Sequence, residues 1–131
     1  MKIKLAHLIS AINNGVLSKS FSVDVPYSSL NYEVLDLLLK QNLIVGFTFF
    51  GTKFTVVLKY LRGTGAIRKL HLISKLKRQL FMTKPVLQNK TRSGNVSGFF
   101  VISTPNGLVT HFESLNLNDN FGGEVILHVL L

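Results

Sequence analysis

The sequence predicts an α+β chain of two small lobes: an N-terminal α/β lobe with a β-hairpin, and a C-terminal lobe that is mostly β. Three observations lead there. Two stretches with apolar residues at helical spacing lie within the first forty residues. Short β-rich runs separated by Gly, Pro and Asn turns follow them. Between the two sets of strands, residues 74–98 form a basic, polar region without clear periodicity. A chain of 131 residues has room for one domain or two lobes with separate cores. The expected divisions are 1–73, a basic linker and loop region at 74–98, and 99–131.

Leu5, Leu8, Ile9 and Ile12 fall at i, i+3, i+4 and i+7, one apolar helix face. Asn14-Gly15 is expected to end that helix, since both residues tolerate a left-handed cap. Phe21, Val23 and Val25 alternate with Ser22 and Asp24, a strand stopped by Pro26. Ser28 or Ser29 can cap a second helix whose face is Leu30, Val34, Leu37 and Leu38, with Glu33 in its first turn. Leu43–Phe50 and Phe54–Leu61 are β-rich and joined at Gly51-Thr52-Lys53, which predicts a hairpin with a three-residue loop. Gly63-Thr64-Gly65 breaks the chain, and residues 66–73 read as another strand. In the second lobe Phe99–Ser103 reads as a buried strand, paired with Leu108–Phe112 through a turn at Pro105-Asn106-Gly107. His111–Leu117 has the pattern of a short helix; Gly122-Gly123 stops it, and Glu124–Leu131 makes a final strand.

Charge narrows the function. The chain carries a net charge of +9, and twelve of its fifteen Lys and Arg residues lie between Asp36 and Glu113, an interval with no acidic residue. Such a surface repels itself unless an anion lies against it, and nucleic acid, whose phosphates release counterions on contact with Lys or Arg, is the readiest large anion. A solvated basic face that binds nothing specific would have the same composition. Cysteine is absent, which removes disulfides, thiolate zinc sites and cysteine nucleophiles. His7, His71, His111 and His128 show no metal-ligand spacing, and no metal or other cofactor is expected. No stretch of 18 apolar residues occurs; the best charge-free run for a span, Gln41–Thr52, is too short to cross a bilayer. The opening Met1-Lys2-Ile3-Lys4-Leu5 has neither a signal-peptide core nor an Arg- and Ser-rich transit segment, so work in an organelle would imply an organellar gene or a removed presequence. Phe, Asn, Lys and Leu make up 53 of 131 residues, an excess of the kind an AT-rich genome encodes.

Several local groupings could touch RNA. Ser103-Thr104-Pro105-Asn106-Gly107 sits at the tip of an apolar hairpin, where hydroxyls and backbone N–H groups can bind phosphate, ribose or base edges; an ordinary polar turn has the same residues. Gly122-Gly123-Glu124 would let an RNA backbone approach closely with a carboxylate as acceptor, or is simply a tight turn before an exposed acid. Ser74-Lys75-Leu76-Lys77-Arg78 packs three cations and a hydroxyl after a strand, suited to phosphates or to solvent. It also fits the bare Ser-x-x-Lys pattern of penicillin-recognising enzymes, but the Ser-Asp-Asn element is missing and the chain is too short for that fold. Six acids leave no obvious carboxylate pair for general acid–base work, so no enzyme is expected. Phe99-Phe100 could stack on bases, yet in a run ending Val101-Ile102 they read as core.

These groupings occur in a familiar order, and together they resemble the universal small-subunit ribosomal protein S8 family. Ser103-Thr104-Pro105-Asn106-Gly107 with its flanking strands resembles the family's Ser-Thr-Ser-x-Gly loop, and Gly122-Gly123-Glu124-Val125 its Gly-Gly-Glu ending. Ile12-Asn13-Asn14-Gly15 stands where the family has Ile-Arg-Asn, and Val25-Pro26-Tyr27-Ser28 where it enters the second helix. Leu58-Lys59-Tyr60 resembles the strand before its linker, and Ile73-Ser74-Lys75 its Ser-Lys/Arg-Pro-Gly turn. Departures are Pro105 for a hydroxyl residue, Leu76-Lys77 for Pro-Gly, Asn13 for Arg, and Val96-Ser97-Gly98 for Gly-x-Gly.

The resemblance implies a structural constituent of the small ribosomal subunit that binds a stem in the central domain of the small-subunit rRNA, supports assembly and translation, and catalyses nothing. Ser103, Thr104 and Asn106 would read base edges, Gly107, Gly122 and Gly123 would permit close approach, and Glu124 would be a specific acceptor. Lys59, Ser74, Lys75, Lys77 and Arg78 would position phosphates, with Asn14 at a further RNA contact. Expected partners are small-subunit rRNA and neighbouring small-subunit ribosomal proteins, with no membrane and no small-molecule substrate. The drift and the composition favour a mitochondrial ribosome over a plastid or bacterial one. Two other classes remain: a basic RNA-binding module outside the ribosome, such as an mRNA regulator, and a small enzyme for an anionic substrate, which would need a base and nucleophile that the sequence does not display.

Overall fold

The computed structural model describes residues 2–73, 81–82, 98–104, 107–110 and 123–131. Its contacts divide the chain into two units, Met1–Leu70 with Leu131, and His71–Leu130.

In the first unit, α1 (Lys2–Leu17) buries the four residues its spacing selects: Leu5, Leu8, Ile9 and Ile12. Removing any of these side chains would cost on the order of 2–5 kcal/mol. The helix does not stop at Asn14-Gly15. A Cβ built on Gly15 would lie 2.4 Å from Val23 Cγ1 and 3.0 Å from Leu58 Cδ1, so this glycine serves close packing rather than capping. The cap falls four residues later. Lys19 takes the left-handed conformation (φ 57°), with Lys19 N–H donating to Val16 O and Ser20 N–H to Gly15 O, the paired bonds of a Schellman motif. A lysine there costs roughly 1–2 kcal/mol relative to glycine.

β1 (Ser22–Pro26), β2 (Ile44–Phe50) and β3 (Lys53–Leu58) form an antiparallel sheet in the order β1-β3-β2. Between β1 and β2, Ser28 caps α2 (Ser29–Lys40), its Oγ accepting from Asn31 N–H at 3.0 Å. Glu33 lies just past the first turn, because the helix starts at Ser29. The buried face of α2 includes Val34, Leu37 and Leu38 as expected, and also Leu35 and Asn31. Asn31 is fully buried; its Nδ2 donates to Pro26 O (2.9 Å) and Lys4 O (3.1 Å), replacing water with two backbone carbonyls. The β2–β3 loop has two residues rather than three, because Phe50 pairs with Lys53 across Gly51-Thr52.

The expected strand 54–61 also divides. Beyond Lys59, β4 (Tyr60–Leu61) pairs instead with β5 (Thr64–Gly65) around Arg62-Gly63, both at positive φ (54° and 80°), the combination that a type I′ hairpin turn requires. Tyr60 hydroxyl anchors this small hairpin by donating to Ser20 O at 2.6 Å. The next strand is shorter than the 66–73 expected: β6 spans Lys69–Leu72.

The second unit is strand-rich. β8 (Phe99–Thr104) pairs with β9 (Gly107–Thr110) and β10 (Gly123–Leu130), β7 (Phe81–Met82) pairs with β10, and the sheet order is β6-β10-β8-β9. Phe99, Phe100, Val101 and Ile102 are all buried, so β8 is covered on both faces, as its unbroken apolar run predicts. The two phenylalanines are core residues, not exposed stacking platforms. Phe100, Ile102 and Val125 form a cluster flanked by Ile73 and Val109. A register shift between Val125 and Leu127 bulges β10 at Ile126, whose carbonyl accepts from Ile73 N–H at 2.9 Å. The α+β class, an N-terminal α/β part and a C-terminal strand-rich part, is therefore what the chain adopts. The expected helix at 111–117 lies outside the described residues.

Candidate nucleic-acid interface

The Ser-Thr hairpin is the best-defined candidate site. Strand alternation and register decide which side chains meet. Ser103 lies directly opposite Glu124 on β10 and Leu108 on β9, and directly opposed residues share a face. A half-buried hydroxyl and a half-buried carboxylate therefore stand side by side, with Cβ atoms roughly 5 Å apart as in such pairs. Thr104, on the alternate face, pairs with Gly107, and its hydroxyl donates to Gly107 O at 2.9 Å. The Thr104 proton is thus committed to closing the loop. Gly107 has φ 109°, which L side chains rarely adopt, and the space where its Cβ would stand is open.

The remaining expected residues divide. Gly123 opens β10, paired with Met82. In the first unit, Lys59 Nζ donates to Asn42 O at 3.1 Å, so its ammonium is held at the end of the α2–β2 connection. Asn14 is exposed on α1, where its carbonyl accepts from Ser18 N–H and Ser18 Oγ. Ser74, Lys75, Lys77, Arg78, Asn106 and Gly122 lie outside the described residues.

Sequence reasoning assigned no role to Asn13, beyond noting a departure. The structure shows its side-chain amide bonded at both ends to Leu70: Nδ2 donates to Leu70 O (2.9 Å) and Oδ1 accepts from Leu70 N–H (2.8 Å). This amide works as a strand edge and ties α1 to β6. Nor did the sequence single out Lys19, Arg68 and Lys69, which line one cleft with Asn14. Arg68 and Lys69 belong to the acid-free interval, but Lys19 lies before it, and only the fold brings the three together.

Comparison with known proteins decides the family. The family model described as Ribosomal protein S8 matches residues 4–130. The chain belongs to the ribosomal protein S8 family. This family is structural and not enzymatic. Among its curated members, the small ribosomal subunit protein uS8 of Buchnera aphidicola is 30% identical over 98% of both chains. Those of Agrobacterium fabrum and Xanthobacter autotrophicus are 30% and 32% identical, each over 95% of both chains. Among the described residues no three His, Asp or Glu side chains group to hold a metal ion, and no helix is long and apolar enough to cross a membrane.

Proposed function

We propose that the chain is a structural constituent of the small ribosomal subunit that binds a stem in the central domain of the small-subunit rRNA, chiefly through its strand-rich unit, and so supports subunit assembly and translation. The observation that carries this reading is the juxtaposition of Ser103 and Glu124 across β8 and β10 in a chain of net charge +9. In so cationic a protein a carboxylate adds nothing to general attraction for phosphate. Beside a hydroxyl it can instead accept from a 2′-hydroxyl or a base amino group in the shallow minor groove of RNA, and thereby select. Lys75, Lys77 and Arg78 would supply the charge that positions the backbone. The relatives' names support the ribosomal setting; the Phe-, Asn-, Lys- and Leu-rich composition supports a mitochondrial ribosome, although the relatives cited are bacterial.

The test is RNA affinity against salt for a central-domain stem and a scrambled stem of equal length. The expected preference is about a hundredfold or more and persists as salt rises. Lys75→Ala should weaken both RNAs alike and lower the salt slope by about 1, whereas Ser103→Ala should reduce the preference. Equal binding that collapses together with salt would leave a basic RNA-binding module outside the ribosome. Sedimentation of the protein with mitochondrial small subunits tests the compartment.

A further inference from the structure

The cleft in the first unit has a volume of about 730 Å3 and lies between the C-terminal half of α1, the β4–β5 hairpin and the start of β6. Lys19, Arg68 and Lys69 contribute to its lining and no acidic residue does. Three cations around one concavity, without a carboxylate, raise the local concentration of anions. A bare phosphate site would need nothing more, but this cleft also has an apolar side: Val16 and Leu17 line it, and Leu17 is 86% exposed on a helix whose other face fills the core. Its volume falls within the roughly 300–1,000 Å3 of sites that take small molecules or single groups.

Polar groups divide into those that build the cleft and those left over. Asn13 is committed to Leu70 and holds the cleft's wall in place. Gly65 packs so closely on Val16 that a Cβ would lie 2.8 Å from Val16 Cγ1. Among the described residues the side-chain amide of Asn14 has no hydrogen bond, and it lines the same space as Ser10 and Thr64. Lys19 is held in a left-handed backbone conformation that a lysine seldom adopts, fixed there by the helix cap.

A duplex cannot enter a concavity of this size. A nucleotide splayed out of a helix can, and it carries an anionic phosphodiester, a flat base with apolar faces and a hydrogen-bonding edge. We propose that this cleft binds one unpaired RNA nucleotide, with Lys19, Arg68 and Lys69 on its phosphates, the base against Val16 and Leu17, and Asn14 on the base edge. The proposal rests on the RNA-binding reading above and adds a second contact, different in kind, on the first unit.

The experiment uses the full chain and two probes: a short single-stranded oligoribonucleotide and a fully paired central-domain stem. Ser10→Trp fills the cleft from an exposed helix position without changing charge, and Arg68→Ala/Lys69→Ala removes its cations. Both should lower oligonucleotide affinity at least tenfold, while Ser10→Trp leaves stem affinity and stem preference unchanged. Leu17→Ala, at an exposed position, should lower oligonucleotide affinity severalfold even if Ser10→Trp fails to fold. Oligonucleotide binding that survives both Ser10→Trp and Leu17→Ala, or a loss under Arg68→Ala/Lys69→Ala that is equal for both probes, overturns the cleft in favour of diffuse charge. Ser103→Ala separates the two readings: it should blunt stem preference and spare the oligonucleotide. A wild-type chain that shows no stem preference yet loses the oligonucleotide on Ser10→Trp would overturn the ribosomal reading and keep this one.

Discussion

Gly15 reverses the ordinary sign of a substitution. Glycine inside a helix is usually destabilising by about 1 kcal/mol relative to alanine. Here an alanine methyl would meet Val23 Cγ1 at 2.4 Å, so Gly15→Ala is expected to destabilise the chain by about 1–3 kcal/mol in urea denaturation. Trimming the obstacle in the double variant Gly15→Ala/Val23→Ala should recover part of that loss, a positive coupling that a simple helix-propensity effect would not produce. Asp24 allows a second test. Lys53 Nζ donates to its Oδ2 and Thr55 Oγ1 to its Oδ1, both at 3.0 Å, and these bonds, that from Lys53 foremost, hold the carboxyl below its ordinary range. A carboxyl depressed in the folded state contributes stability above its unfolded pKa and loses that contribution as pH falls through the folded value. The site is exposed, so the effect on stability is small. The measurable outcome is an NMR titration midpoint for Asp24 below the usual aspartate value, moving up on Lys53→Ala.

At the scale of elements, β8 depends on how it begins. Gly98 has φ 99°, and a Cβ there would fall 1.8 Å from the backbone oxygen of Val129 on β10. Backbone in a paired strand cannot yield as a side chain can. Gly98→Ala is therefore expected to cost several kcal/mol, by overpacking and by the disfavoured conformation together, and to strip hydrogen-exchange protection from β8 and β10. The same distinction between local and non-local causes explains what was legible in the sequence. The apolar face of α1, a serine cap at Ser28 or Ser29 and the buried run of β8 are written in residues close along the chain; each formed, with Ser28 as the serine that caps. The end of α1 was misplaced because a glycine that caps and a glycine that packs look alike until Val23 and Leu58 are seen beside it. The break at Lys59 was hidden because Leu58 and Tyr60 both suit strands, and only pairing shows that they belong to different hairpins. Ser103 and Glu124 could each be named from motifs, but their adjacency depends on the register of β8 on β10, which no local pattern sets. The cleft was invisible for the same reason: Asn14 and Lys19, at the end of α1, meet Arg68 and Lys69 only through the fold.

For the whole molecule, the imbalance of fifteen cations against six acids acts on two equilibria in opposite directions. In the free protein like charges repel, and added salt screens them. Between protein and RNA, salt restores the counterion atmosphere that binding releases and so weakens the complex. Raising sodium chloride from about 50 to 500 mM should thus raise the melting temperature of the free chain while lowering its affinity for RNA; a melting temperature that fell with salt would mean that attractive ion pairs outweigh the repulsion. The Asp36–Lys40 and Asp24–Lys53 pairs are exposed and too modest to reverse the sign. The clasp between Asn13 and Leu70 bears on how such a chain is made. It joins residues 57 positions apart, so a polypeptide growing from its N-terminus can wind α1 and seat it on β1 long before the partner of that amide has been synthesised. Until position 70 emerges, the last turns of α1 lack their tie to β6. Closure of the first unit is then a late event in its own synthesis, and a nascent chain arrested short of Leu70 should remain open to protease along the second half of that helix.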